Sequence, residues 1–278
     1  MRIIAALWLR NVKLFMRNRV QLILMFIMPF FYLYLISTIF KSTQISNAGH
    51  YVLAGIVVIV VFQTSLNIAT STIDDIVSGF MKEILVSPVK RIEIAMGQIL
   101  SSTTVATLQG ILILVIGYFI GMKYTSMITP IAIIASMVLI GLVFSAFGLL
   151  LAAVVKHSQT FQIVLVAITT PITFLCGVYV PLSLLPNGLQ LIALFNPMTY
   201  ATAYFRTLSL EKMSLPLDEL IAEQLAFQIS NFVITPQFSI LIVLTFGIIC
   251  LLLSTFVFTK VDFSKINRSS RYKDIFQQ

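Results

Sequence analysis

Charge is what this chain has least of. Asp, Glu, Lys and Arg together make up 10% of its 278 residues, against roughly a quarter in soluble domains. With 59% hydrophobic residues and a mean hydropathy of +1.01, this shortage excludes an ordinary soluble domain and defines an integral membrane protein. Spans and short loops take up nearly the whole length and leave no room for a separate soluble domain. Residues that carry chemistry are equally sparse. The two cysteines, Cys176 and Cys250, lie inside apolar runs and read as small buried hydrophobes in preference to a disulfide or metal pair. His50 and His157 are expected on opposite sides of the bilayer, which disfavours haem or metal chemistry. No apolar stretch holds a Lys, Arg, Asp or Glu near its centre, which argues against a proton-coupled carrier or a voltage sensor. No GxxxxGK[ST] phosphate loop occurs, so nucleotide-driven work would have to be powered by another chain. An intramembrane enzyme would lack a nucleophile and base pair.

The net charge of +8 does not indicate nucleic acid, because the basic residues are not clustered with stacking aromatics on a polar domain. Membrane topology accounts for it better. Six stretches are apolar and long enough to cross roughly 30 Å of hydrocarbon at about 1.5 Å per residue: Leu22–Phe40, Val52–Ser71, Ile99–Ile120, Ile128–Val155, Phe161–Val180 and Phe238–Thr259. Placing both termini in the cytoplasm puts fourteen Lys and Arg inside and four, Lys41, Lys123, Arg206 and Lys212, outside, as the positive-inside rule requires. Residues 1–20 precede the first stretch. There Arg10, Lys13 and Arg17 share one helical face, with Ile4, Trp8, Val12 and Phe15 roughly opposite. That pattern suits a helix in the interface of an anionic leaflet; a solvated helix is the alternative.

The expected outer region, 181–237, is different in kind. Pro181, Pro186 and Pro197 interrupt an apolar run, and each removes a backbone donor and disfavours helix before it. Short helices dipping part-way into the outer leaflet are expected, followed by one amphipathic helix over "SLPLDELIAEQLAFQISNF". Small residues recur at helical spacing in the third stretch (Thr103, Thr107, Gly110, Gly117, Gly121) and the fourth (Gly141, Ser145, Gly148, Ala152), which permits close helix approach. In the second, Gln63, Asn67 and Thr70 form an i, i+4, i+7 stripe. Polar groups at membrane depth must face protein or water, so this stripe either lines a pathway or bonds between helices.

Between the second and third stretches, Asp74 and Asp75 offer a helix N-cap and first-turn charge, and Pro88 supplies a stop. Ile73, Val77, Phe80, Ile84 and Leu85 fall on one side of the intervening segment. This predicts a cytoplasmic amphipathic helix sized for a groove on a soluble partner. Gly79, which costs about 1 kcal/mol inside a helix, suggests a break or close approach by another surface. Lys90 and Arg91 mark the return to the headgroups.

"DDIVSGFMKEILVSPVKRIEIAMGQIL" resembles the cytoplasmic loop of ABC type-2 exporter permeases, especially the daunorubicin-resistance permease branch. "FLCGVYVPLSLLPNGLQLIALFNPMTYATAYFR" is similar to that family's Gly-x-x-x-Pro, Leu-Pro and Asn-Pro-x-Thr-Tyr pattern. The resemblance covers essentially the whole chain as one all-α transmembrane domain: an interfacial helix, six spans, a coupling segment over 74–91 and short re-entrant helices after the fifth span. It implies a permease subunit in the cytoplasmic membrane that pairs with a second permease, identical or a close paralogue, and with two copies of an ABC ATPase. ATP and Mg would be bound by that ATPase, and no cofactor by this chain. It also implies ATPase coupling through Gly79, Phe80, Met81, Lys82, Glu83, Ser87 and Pro88, flanked by Lys90 and Arg91. The run "DDIVSGF" stands where some branches have an Arg/Glu-rich run and Gly-Thr. An amphipathic or hydrophobic cargo, drug-like or lipid-like, is expected; the alternatives are a lipid-linked glycan or envelope polymer, or a sensor that binds an ATPase without moving cargo.

Overall fold

The computed structural model describes residues 2–40, 48–77, 90–119, 122, 124, 126, 128–155, 158–229 and 232–260. Helices make up nearly all of it: α1 (Arg2–Arg17), α2 (Arg19–Phe40), α3 (Ala48–Val77), α4 (Arg91–Phe119), α5 (Ile128–Val154), α6 (Ser158–Phe174), α7 (Asn187–Leu194), α8 (Pro197–Ser209), α9 (Leu217–Ala222) and α10 (Pro236–Lys260). A 3-10 turn at Leu182–Leu184 and a hairpin of β1 (Phe227–Ile229) and β2 (Phe232–Ile234) complete the described elements.

Helix α3 is the axis of the bundle. From Tyr51 to Phe62 it is apolar on every side, the pattern of a helix enclosed by others, and it packs against α2, α4, α5, α6 and α8. Tyr51 to Phe62, apart from Gly55, forms an unbroken buried hydrophobic run. Phe62 meets Phe144 of α5 edge to face at 4.7 Å between ring centroids, the arrangement that ring quadrupoles favour. Thr64 donates a hydrogen bond to Gln109 of α4, so a polar pair inside the bundle is satisfied between two helices.

The small-residue stripes are contact surfaces. A Cβ on Gly141 would sit 3.1 Å from Thr103 Cγ2, and one on Gly110 would sit 2.9 Å from Met137 Sδ. The tightest approach joins α10 to α5, where a Cβ on Gly247 would lie 2.4 Å from Val143 Cγ2. Valine has little rotamer freedom in a helix, so relief must come from the backbones. Gly247→Ala is expected to cost about 1–3 kcal/mol by overpacking, and Val143→Ala in the same chain to recover most of that loss, read as thermal midpoints in detergent.

Four described helical segments are long and apolar enough to cross a membrane: Gly49–Asp75, Arg91–Phe119, Ile128–Val154 and Pro236–Val257. They overlap the second, third, fourth and sixth expected stretches. The first expected span lies in α2, which joins α1 at a bend of 77°. The fifth ends early, at Phe174 instead of Val180, leaving 17 residues, or about 25 Å of helix. A turn follows it, with Gly177 at φ +77°, a conformation that other residues adopt only under strain.

Two further expectations are corrected. Asp74 and Asp75 do not begin a new helix; α3 runs through them to Val77, because Asp75 is held by an arginine 65 residues away. The expected single helix after Ser214 is instead the short α9 and a hairpin. Gln224 takes the left-handed region at φ 59°, and the chain turns there so that Leu225, Ala226 and Phe227 are buried in the core.

Candidate functional site

Helix α1 does not simply present a basic face to headgroups. Leu7 and Asn11, one turn apart, are buried against α4, and Trp8 Nε1 donates to Thr104 Oγ1 at 2.9 Å. Asn11 Nδ2 donates to Gln98 Oε1 at 2.6 Å and to Ser101 Oγ at 3.1 Å. Arg10 turns inward to a two-point ion pair with Asp75, Nη1 to Oδ2 at 2.8 Å and Nη2 to Oδ1 at 2.5 Å. Such forked pairs are among the strongest charge-assisted hydrogen bonds. With the Asp75 side chain only 8% exposed, this pair fastens α1 to the end of α3.

Beside it opens a cleft of about 420 Å³ between α1, α3 and α6, lined by polar residues that include Asn11, Asn67, Thr70, Asp74 and Gln162, and by Leu14 and Phe15. Helical spacing brings Asn67, Thr70 and Asp74 to one side of α3, since residues three and four apart are neighbours. Two bonds hold the α6 wall: Gln162 Nε2 donates to Thr70 Oγ1 at 3.3 Å, and Ser158 Oγ donates to Asp74 Oδ1 at 2.9 Å. Asn67 and Thr70 of the polar stripe therefore reach one cleft, and Thr70 also bonds between helices. Gln63, a turn further along α3, is half-buried and is not part of the lining. Sequence reasoning missed Asn11 and Gln162; the one available signal was a lone amide in an otherwise basic and apolar helix face.

Of the expected coupling residues, Gly79, Phe80, Met81, Lys82, Glu83, Ser87 and Pro88 lie outside the described residues. Lys90 is exposed and Arg91 opens α4, whose first turn is joined by a bond from Glu93 N to Lys90 O at 2.9 Å. The described coupling-flank positions thus sit at the same end of the bundle as Asp74, because α3 ends and α4 begins there.

At the opposite end of α3, the proline-broken region forms a lobe whose motif residues make structural bonds. Asn196 caps α8 by accepting from Met198 N at 3.0 Å, Pro197 occupies the first turn, and Asn196 Nδ2 donates to Ile172 O at 2.8 Å. Thr199 and Tyr200 donate back to Ala193 O and Leu194 O. The Asn-Pro-x-Thr-Tyr run thereby ties α6, α7 and α8 together. Arg206, one of the four basic residues expected on the outer side, is buried within the protein at 2% exposure. Its Nε donates to Tyr51 O at 3.2 Å, its Nη1 donates to Gly177 O at 3.0 Å, and its guanidinium carbon stands 3.8 Å from the Tyr51 ring centre.

Long apolar helices arranged around a largely buried one, with a polar cleft at one end, are the build of a multi-pass membrane protein. Residues 2–209 match the ABC-2 type transporter family, and the chain belongs to it as a transport permease subunit. Such permeases pair in general with an ABC ATPase. Among its relatives are the putative transport permease ycf38 of Cyanophora paradoxa, 26% identical over 244 residues that cover 85% of this chain and 82% of the relative. The inner membrane transport permease YadH of Escherichia coli strain K12 is 26% identical over 211 residues, covering 72% of this chain and 80% of that protein.

Proposed function

We propose that this chain is the membrane subunit of an ATP-driven exporter in the cytoplasmic membrane, moving an amphipathic cargo that enters from the inner leaflet. In this reading the chain crosses six times with both termini inside, α2 and α6 supplying the first and fifth spans. Two permease subunits, identical or paralogous, sit on two ATPase subunits, and the segment over 74–91 receives the ATPase motion. The observation that carries it is the polar cleft at the inner end of α3, next to the chain's passage into that segment, in a member of a transport family. The sequence has no phosphate loop, in keeping with ATP and Mg bound on the separate ATPase. The drug-exporter branch is favoured by the "DDIVSGF" and "LVSPVKR" runs.

Co-purification with the native ATPase and reconstitution in vesicles test the reading. Cargo should stimulate ATP turnover, and Phe80→Asp or Glu83→Lys should abolish that stimulation while both subunits still purify together and folded. Full transport by both variants would remove the coupling assignment. Turnover indifferent to every cargo tried would favour a sensor over an exporter.

A further inference from the structure

Packing covers most of the side of α1 that the sequence pattern offered to lipid. Leu7 and Asn11 are buried, Ile4, Trp8 and Phe15 are partly covered beside them, and Arg10 is committed to Asp75. A different arc stays exposed. It carries Ala5, Leu9 and Met16, the last two 47% and 56% exposed, with Ala6, Lys13 and Arg17 next to them. The contacts with α4 show how this arc is turned. Leu7 packs on Gly97, where a Cβ would sit 3.1 Å from Leu7 Cβ; Asn11 donates to Ser101, and Trp8 donates to Thr104. Rotating about α1 from Leu7 through Asn11 to Trp8 therefore climbs α4 away from its Arg91 end. At 3.6 residues per turn the same rotation next meets Val12, Met16 and Leu9, and only then Lys13, Arg17 and Arg10 on the descending side. Arg10 agrees with this direction, since its partner Asp75 lies beside the end of α3 at Val77.

α2 leaves α1 at 77°, so α1 lies close to the membrane plane when α2 crosses. The apolar half of the arc then meets hydrocarbon and the basic half meets headgroups. Arg19 opens α2 at the same level and is exposed, followed by exposed Val20, Ile23 and Ile27. Among the described residues no carboxylate pairs with Lys13, Arg17 or Arg19, and Asp74 accepts from Ser158 on the α6 wall. Three cations beside exposed apolar side chains fit a partner that is negatively charged at its edge and apolar inside. An acidic soluble protein would use the cations but leave Leu9, Met16 and Val20 in water. We propose that α1 and the head of α2 form a docking surface for anionic phospholipid, with Lys13, Arg17 and Arg19 on lipid phosphates and Leu9 and Met16 among the acyl carbons. The surface is separate from the cleft and requires only that the chain sits in a bilayer, not that it exports.

Trp8 is the only tryptophan in the chain, so its fluorescence reports on α1 alone. The full-length chain is placed in nanodiscs of equal phosphatidylcholine and phosphatidylglycerol, with bromine on the acyl chains of one lipid or the other; bromine quenches indole emission at short range. Brominated phosphatidylglycerol should quench as though enriched about fivefold beside Trp8, the scale of one basic residue near an anionic surface. The triple variant Lys13→Gln, Arg17→Gln, Arg19→Gln should bring the two lipids within about 1.5-fold. Ala6→Lys adds a cation to the basic half and should raise the enrichment, a gain that misfolding cannot produce. Equal quenching by the two lipids in the wild-type protein overturns the proposal, as does an enrichment that survives the triple variant or an Ala6→Lys protein with no gain. Glycerol phosphate added at constant ionic strength should leave the enrichment intact; if it abolishes it, the cations serve a soluble phosphate and the lipid assignment fails.

Discussion

Arg206→Ala is expected to yield little folded protein. The side chain is the largest of those almost completely enclosed, and truncation empties its space and removes donors from two carbonyls at once. Large buried truncations cost about 3–5 kcal/mol, a large share of a typical folding free energy of 5–15 kcal/mol. Three parts of the chain would come loose together, since this one guanidinium reaches Tyr51 of α3, Gly177 in the turn and α8 itself. Arg206→Lys should rescue only partly, because an ammonium cannot span both carbonyls and stack on the ring as a planar fork does. Arg206→Met should do better than alanine by filling the space, but would still leave Gly177 O without this donor, a penalty of about 1–3 kcal/mol. The order wild type, then methionine and lysine, then alanine, read by size-exclusion yield and thermal midpoint, is the expected result. Gly55 belongs to the same device: a Cβ there would lie 2.6 Å from Arg206 Nη2 and 2.8 Å from Val178 Cγ1.

Reversing one charge of the Arg10–Asp75 pair is expected to detach α1. Asp75→Arg would set two guanidiniums face to face, with one at a site where the native carboxylate is nearly enclosed. Leaving a buried charge without its partner costs about 3–5 kcal/mol. The double exchange Arg10→Asp with Asp75→Arg restores opposite charges and should recover about half of that loss, the remainder reflecting changed side-chain lengths. Limited proteolysis after Arg17 reads detachment directly: rapid cleavage in the single variant, slow cleavage in the wild type and the exchange. Equal protease resistance in all three would show that the packing of Leu7, Trp8 and Asn11 holds α1 alone.

Helix cores were legible because twenty apolar residues in a row have few alternatives in water or lipid. Ends were less so. Asp74 and Asp75 have the residue types of an N-cap, but side-chain identity does not distinguish a cap from a buried ion pair formed with Arg10. The N-cap at Asn196 went unread within a run that stood only as a family pattern, although the residues that form it, Asn196, Pro197 and Met198, are consecutive. Arg206 was not readable, since a lone arginine in a polar-flanked segment looks like a loop charge until Gly55 and Gly177 are known to open a berth for it. Asn67 and Thr70 were found by spacing along one helix, whereas Asn11 and Gln162 joined them through tertiary packing.

The unbroken course of α3 has a mechanical consequence. A proline-free helix of 30 residues is a strut about 45 Å long, stiff on that scale, and each extremity is pinned by an arginine. Such a strut cannot absorb a shove at its lower tip by shortening. It can only slide or tilt, so displacement near Asp75 must reappear, reversed by any pivot at mid-height, under the Tyr51 ring.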